Sequence, residues 1–121
     1  MTICRLHTIT RYSEVVIHNG TVYLSGQLAE DLRGDIRQQT RETLANIDQF
    51  LAEAGTDKKH LLSATIYLKD IAQDYAGMNE VWDAWLPSGA APARTTVEAK
   101  LYAPEVRVEI SIVAATKPHK S

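Results

Sequence analysis

The fold is decided first by the twelve-residue stretch EVVIHNGTVYLS, which runs from Glu14 to Ser25. Two runs rich in β-branched and aromatic residues flank the dipeptide Asn19-Gly20. Both residues of this dipeptide accept the positive φ angles of a type I′ turn, and Asn-Gly between two such runs is a strong short-range hairpin signal. The stretch therefore predicts a β-hairpin.

Two amphipathic helices are predicted after this hairpin. The first begins at Asp35, a good N-cap residue, and Gln38 stands three positions later as in a capping box. Its apolar stripe recurs at three- and four-residue steps and consists of Leu44, Ile47, Leu51 and Ala54. Gly55 follows at a position where a left-handed residue ends helices, so we predict a helix from about Ile36 to Ala54.

The second helix is predicted to begin at Asp70 and to end before the Pro87-Ser88-Gly89 turn. Its apolar stripe consists of Tyr75, Met78, Trp82, Trp85 and Leu86. The two helices align when the sequence is shifted so that Asp35 matches Asp70. This match fits either a worn β–α duplication or two independent helices that obey the same capping rules.

Alternating apolar and polar residues predict four more strands, which span residues 3–8, 62–68, 94–101 and 106–114. The resulting order is a strand, a hairpin, a helix, a strand, a helix and two strands. This order predicts an α+β fold, a sheet with helices on one face, in a single domain that spans residues 1–121. The polar segment 116–121 is predicted to be frayed.

Composition excludes several classes of protein. The chain has 121 residues, with 13 basic and 15 acidic side chains and a net charge of −2. A nucleic-acid partner is therefore not expected, although a local basic patch stays possible. The single cysteine, Cys4, cannot form an internal disulfide, and we expect neither a signal peptide nor a membrane span. A reducing cytoplasm is the expected location.

Metal and cofactor chemistry are not expected. None of the four histidines is paired at ligand spacing, and the six glycines are spread singly rather than in a phosphate-binding loop. The histidines are His7, His18, His60 and His119.

The two predicted C-terminal strands carry the polar residues that are suited to chemistry. Arg94, Thr96 and Glu98 share one face of the first strand, while Arg107, Glu109 and Ser111 share the polar face of the second. We expect these residues on the sheet face without helices. Arginine suits a substrate carboxylate, because its planar fork donates two parallel hydrogen bonds, and a glutamate can orient water. The alternative is a solvated surface or an internal salt bridge.

Several blocks of the sequence resemble the Rid family of imine/enamine deaminases, also called YjgF/YER/UK-type proteins. The resemblance runs from Tyr12 to Ala115 and is greatest to the short bacterial paralogues of the YoaB type. The matching blocks are Tyr12-Ser13-Glu14, Leu24-Ser25-Gly26-Gln27, Tyr75-Ala76-Gly77-Met78-Asn79, Pro92-Ala93-Arg94-Thr95-Thr96-Val97 and Val106-Arg107-Val108-Glu109-Ile110.

The resemblance implies a chorismate-mutase-like fold, with a six-stranded mixed sheet and two helices packed on one face. It also implies a homotrimer with sites in the clefts between subunits. The implied reaction is the cofactor-free hydrolysis of a 2-imino acid or its enamine to a 2-keto acid and ammonia. In this sequence, Arg94 matches the arginine that holds the substrate carboxylate, and Glu109 matches the glutamate that orients water. The implied pocket residues are Tyr12, Ser25, Gly26, Asn79 and Thr96.

The sequence departs from the family pattern at two places. The loop after Gln27 is shorter than in the best-studied members, and Thr96 stands where many members carry Cys. A thiol nucleophile is thus not required, or the activity is absent. The alternative function is a small-carboxylate-binding or regulatory trimer of the same fold without turnover, and a third reading is a purely structural trimer.

Overall fold

The computed structural model of the chain describes residues 2–118. It contains six strands and two α-helices, with a short 3₁₀ turn at Lys58–His60 before the fourth strand. In chain order they are β1 (Cys4–Thr8), β2 (Ser13–His18), β3 (Thr21–Leu24), α1 (Ile36–Glu53), β4 (Leu61–Leu68), α2 (Ile71–Trp85), β5 (Ala93–Glu98) and β6 (Val108–Ala115). Among the described residues, neither helix has the combination of length and apolar character that crossing a bilayer requires.

All six strands form one mixed sheet in the order β1-β2-β3-β6-β4-β5. The β4–β5 pair is parallel and is joined through α2, while the other neighbouring pairs are antiparallel. Both helices pack on the same face, where Leu44, Ile47, Met78 and Trp82 meet the buried side chains of the strands. The expected six-stranded α+β architecture is confirmed.

The turn and capping residues have the geometry that the sequence predicts. Asn19 and Gly20 have φ angles of 52° and 75°, the left-handed pair that the hairpin turn needs. The Asp35 side chain accepts a hydrogen bond from the Gln38 backbone N–H at 2.9 Å and so caps α1. At the start of α2, the Asp70 side chain accepts an equivalent bond from the backbone of Gln73 at 3.0 Å. Gly55 ends α1 with a φ of 79°.

The segment after β6 is only partly described. The Thr116 backbone N–H donates to the carbonyl of Gly20 at 2.9 Å, which fastens this residue to the hairpin turn. Residues 119–121 of the tail predicted to be frayed, His119 among them, lie outside the described residues.

The prediction that Arg94, Thr96 and Glu98 lie on the helix-free face is wrong. In β5, Arg94 pairs with Ala64 and Thr96 pairs with Ile66, and both of these β4 residues are buried beneath the helices. Arg94 accordingly contacts α2. Alternation along a strand shows which residues share a face, but register with the neighbouring strand decides which face is covered. The strand also ends at Glu98, three residues earlier than predicted.

The prediction that Arg107 shares the face of Glu109 is also wrong. Arg107 precedes β6, and its guanidinium forms two hydrogen bonds, of 2.9 and 3.1 Å, with the carboxylate of Asp74 in α2. Asp74 is buried, so this ion pair joins the chain before β6 to the helix layer. Glu109 and Ser111 do share the helix-free face, because Val108, Ile110 and Ile112 between and beside them are buried against the helices.

Candidate functional site

Four of the predicted site residues line one cavity of about 700 Å³. They are Tyr12, Ser25, Gly26 and Glu109. The cavity lies beside the open ends of β2 and β3, and we call it the Glu109 cavity. Its size is in the range of small-molecule sites. A second cavity, of about 430 Å³, lies between α1 and α2 and is lined by none of the predicted site residues.

Backbone pairing places Gly26 directly against Glu109. Gln27 forms two hydrogen bonds with Ile110, one from its N–H at 2.9 Å and one to its carbonyl at 3.0 Å. This bridge holds the segment after β3 alongside β6. A Cβ atom at position 26 would lie 2.1 Å from Oε2 of Glu109, so only glycine leaves room for this carboxylate.

The Glu109 carboxyl is partly buried, and its burial raises its pKa above the ordinary value for glutamate. Desolvation disfavours the charged form of a carboxyl group. A carboxylate with a raised pKa is a better proton acceptor, which is the property that a general base needs. Glu109 is therefore suited to take a proton from water within the cavity.

Arg94, Asn79 and Thr96 form a second group, which we call the Arg94 cluster. The Arg94 guanidinium donates to Oδ1 of Asn79 at 2.8 Å and to the hydroxyl of Tyr75 at 3.3 Å. It also stacks over the Trp82 ring at 5.6 Å from the ring centroid. The α2 side chains thus fix the arginine, while leaving it without a carboxylate partner among the described residues.

Thr96 and Glu98 follow Arg94 on the same face of β5. The Thr96 hydroxyl is buried and has no hydrogen-bond partner among the described residues. Glu98, the acidic residue on the same strand, does not pair with Arg94 but accepts a hydrogen bond from the Ile71 N–H at the start of α2 at 3.0 Å. The predicted site residues therefore form two groups, which the described chain does not join.

The structure adds residues that the sequence did not single out. Glu14 and Tyr102 line the Glu109 cavity, and Tyr75 and Trp82 hold Arg94. Tyr102 is 75% exposed, although it is a large aromatic residue. Within residues 2–118, no group of three or more His, Cys, Asp or Glu side chains is placed to hold a metal ion.

Comparison with known proteins identifies the family. Residues 2–116 match the family described as Endoribonuclease L-PSP. A relative from Escherichia coli, the RutC family protein YoaB, is 50% identical over 115 residues, which are 95% of this chain and 99% of the relative. A crystal structure of a YjgF family member from Neisseria meningitidis is 50% identical, covers 98% of each chain and superposes with a TM-score of 0.94.

The chain belongs to the YjgF/Rid family. A Rid family protein from Yersinia pestis is 32% identical over 90% of each chain, with a TM-score of 0.82. The resemblance to YoaB-type members and the fold that it implies are both confirmed. Membership of this family is consistent with a small-molecule deaminase or a related role.

Proposed function

We propose that this YjgF/Rid protein hydrolyses 2-imino acids and their enamine tautomers to 2-keto acids and ammonia, without a cofactor. The observation that carries the proposal is Arg94, which is fixed by neutral groups and left without an acidic partner among residues 2–118. Such an arginine is available to the carboxylate that every 2-imino acid carries. Its planar fork can donate two parallel hydrogen bonds to that group.

The reaction requires a water molecule and a base. A protonated imine carbon is already electrophilic, so the protein has mainly to orient the reactants. Glu109 takes a proton from water as the water oxygen bonds to the imine carbon, and then gives that proton to the amino group. The carbon–nitrogen bond breaks and ammonia leaves, while Glu109 takes the proton of the new hydroxyl as the carbonyl forms. Ammonia then accepts that proton from Glu109, which gives ammonium and restores the carboxylate.

We propose that the complete site forms between subunits of a homotrimer. Arg94 and Thr96 lie on the helix-covered face of the edge strand β5, whereas Glu109 lies on the helix-free face of β6. The two groups therefore need a second copy of the chain to meet at one ligand. A closed ring would also cover the free edge of β5. In this arrangement, Arg94, Asn79 and Thr96 of one subunit face Tyr12, Ser25, Gly26 and Glu109 of the next.

The family description includes the word endoribonuclease, but the Glu109 cavity argues against an RNA substrate here. Three glutamates line it, namely Glu14, Glu30 and Glu109, and no basic side chain is among its described lining residues. RNA binding relies on basic groups that neutralise phosphates. The protonated imine group of a small 2-imino acid suits these carboxylates better than a phosphate does. We propose the reducing cytoplasm as the compartment of the protein.

A steady-state assay with freshly generated 2-iminopropionate tests the proposal. We expect ammonia release well above spontaneous hydrolysis, and loss of this excess in Glu109→Gln. Binding of the 2-keto product without any turnover would favour the alternative, a carboxylate-binding trimer. A protein that neither turns over the imine nor binds the 2-keto acid would contradict both functions.

A further inference from the structure

Glu14 makes a set of contacts that the proposed reaction has not used. It lies on β2 directly opposite Ser25, whose backbone N–H donates to the Glu14 carbonyl at 3.0 Å. The side chains of this pair are on the same face of the sheet, and both line the Glu109 cavity. Residues opposite each other in an antiparallel pair have closely spaced side chains.

The Glu14 side chain accepts hydrogen bonds from Ser25 and Gln27. Ser25 Oγ donates a hydrogen bond to Oε1 of Glu14. The Gln27 amide donates to the same carboxylate oxygen at 3.1 Å and lies 3.2 Å from both the hydroxyl and the carbonyl of Ser25. Gln27 is buried and bonded to Ile110 through its backbone, which places its amide between Glu14 and Ser25.

These contacts limit the direction in which Ser25 can hydrogen-bond a ligand. A serine hydroxyl has one hydrogen and two lone pairs. The hydrogen is committed to Glu14, and the Gln27 amide occupies one lone pair at most. Ser25 therefore presents a lone pair to the cavity, and it can accept a hydrogen bond but not donate one.

We infer that Glu14 is a positioning residue that makes Ser25 a hydrogen-bond acceptor, so that the site prefers the imine substrate to the keto product. The inference rests on the proposed function. A protonated imine nitrogen carries N–H donors, whereas the carbonyl oxygen of the product only accepts hydrogen bonds. Substrate thus gains a bond at Ser25 that product lacks, which favours product release.

The variant Glu14→Leu tests this inference. Leucine is of similar size but has no acceptor for the Ser25 hydroxyl hydrogen, which is then free to turn toward the cavity and donate to a carbonyl. We expect kcat/KM for 2-iminopropionate to fall about tenfold, while the inhibition constant of pyruvate falls by a similar factor, on the scale of one hydrogen bond. Weaker turnover with tighter product binding is a combination that general damage to the site does not produce.

Ser25→Ala provides the control, since it removes the group through which Glu14 acts. In the Ser25→Ala background, Glu14→Leu should change neither kcat/KM nor the pyruvate inhibition constant further. The remote variant Glu53→Gln, on the exposed surface of α1, tests for a general effect of removing one negative charge and should leave both constants unchanged.

Three outcomes would overturn the inference. Equal effects of Glu14→Leu with and without the Ser25 hydroxyl would show that Glu14 does not act through Ser25. Weaker pyruvate binding in Glu14→Leu would contradict the acceptor role of Ser25. An inactive wild-type protein would overturn the proposed function and this inference together, whereas the first two outcomes leave the proposed function intact.

Discussion

Arg94 and Glu109 lie on opposite faces of the same sheet. The register joins Arg94 to Ala64 and Ala64 to Ile112, all of which face the helices, whereas Glu109 pairs with Tyr67 on the other face. A single chain therefore separates the group proposed to bind the carboxylate from the group proposed to activate water. The proposed function therefore requires the assembly of subunits.

Mixing two inactive variants tests this requirement directly. Arg94→Ala and Glu109→Gln each lack one half of the site, but trimers that contain both chains include some intact sites. Random assembly from equal amounts should restore about one quarter of wild-type activity, since both contributing chains must carry the right residue. The chains are unfolded together, refolded and assayed, and each variant refolded alone is the control. No recovery in confirmed mixed trimers would show that one chain supplies both residues.

Arg94→Lys separates charge from geometry. Lysine keeps the positive charge but loses the two-pronged hydrogen bond to a carboxylate. We expect Arg94→Lys and Arg94→Ala to stay folded and trimeric but to lose 2-keto acid binding and imine hydrolysis. The alanine variant should lose about 2–5 kcal/mol of transition-state stabilisation. Melting temperature, trimer fraction and turnover are measured on the same preparations. A stable trimeric Arg94→Ala with wild-type turnover would contradict the carboxylate-binding role.

Glu109→Gln should lower turnover by about 10²- to 10⁴-fold, as expected for a lost general base, with little effect on 2-keto acid binding. In the wild type, kcat/KM should fall as the pH drops through the pKa of Glu109, which burial places above that of an ordinary glutamate. Turnover that is independent of pH in this range, or near-normal turnover in Glu109→Gln, would assign the base to another group.

The same carboxyl also predicts a pH-dependent difference in stability. Because its pKa is raised in the folded state, folding favours the protonated form, and this contribution is lost as pH rises through the folded-state pKa. The melting temperatures of wild type and Glu109→Gln should therefore be similar at acidic pH, and the variant should become the more stable at neutral pH. Thermal melts across this pH range measure the difference. A wild type that is more stable than Glu109→Gln at neutral pH would contradict it.

The parts of the fold that sequence predicted depend on local signals. The Asn19-Gly20 turn and the caps at Asp35 and Asp70 each involve residues within a few positions of one another, so the side chains themselves specify the geometry. The face of Arg94 depends instead on how β5 pairs with β4, a contact between segments that are distant in sequence. The residues of this edge strand are exposed or only partly buried, so its apolar pattern is too weak to reveal that choice.

The role of Glu14 did have a signal in the sequence. A two-residue turn at Asn19-Gly20 pairs His18 with Thr21, and counting back along the hairpin then brings Glu14 opposite Ser25. The short loop after Gln27 offers no comparable rule, because its path is fixed by the isolated bridge to Ile110. The hairpin thus predicts that Glu14 and Ser25 lie together, whereas the places of Asn46, Tyr102 and Glu109 in the cavity depend on packing between distant segments.

Gly26→Ala should lower activity without lowering stability much. The added Cβ would lie 2.1 Å from Oε2 and 2.9 Å from Cδ of Glu109, so the carboxylate must move away from its place in the cavity. Glu109 is a flexible side chain at the edge of the cavity, and its displacement costs little folding free energy. We therefore expect turnover to approach that of Glu109→Gln, with a melting temperature close to that of the wild type.

Gly77→Ala supplies the matched contrast. A Cβ at that position would lie 2.7 Å from Cγ2 of Ile36, a buried residue where α2 packs against the start of α1. This substitution should lower the melting temperature, because crowding a packed contact typically costs about 1–3 kcal/mol, but should leave turnover per folded trimer unchanged. Gly26→Ala should also add nothing in a Glu109→Gln background, since the group it displaces is already ineffective. Full turnover in Gly26→Ala, or an additive loss in the double variant, would mean that the position of Glu109 seen here is not the one that supports hydrolysis.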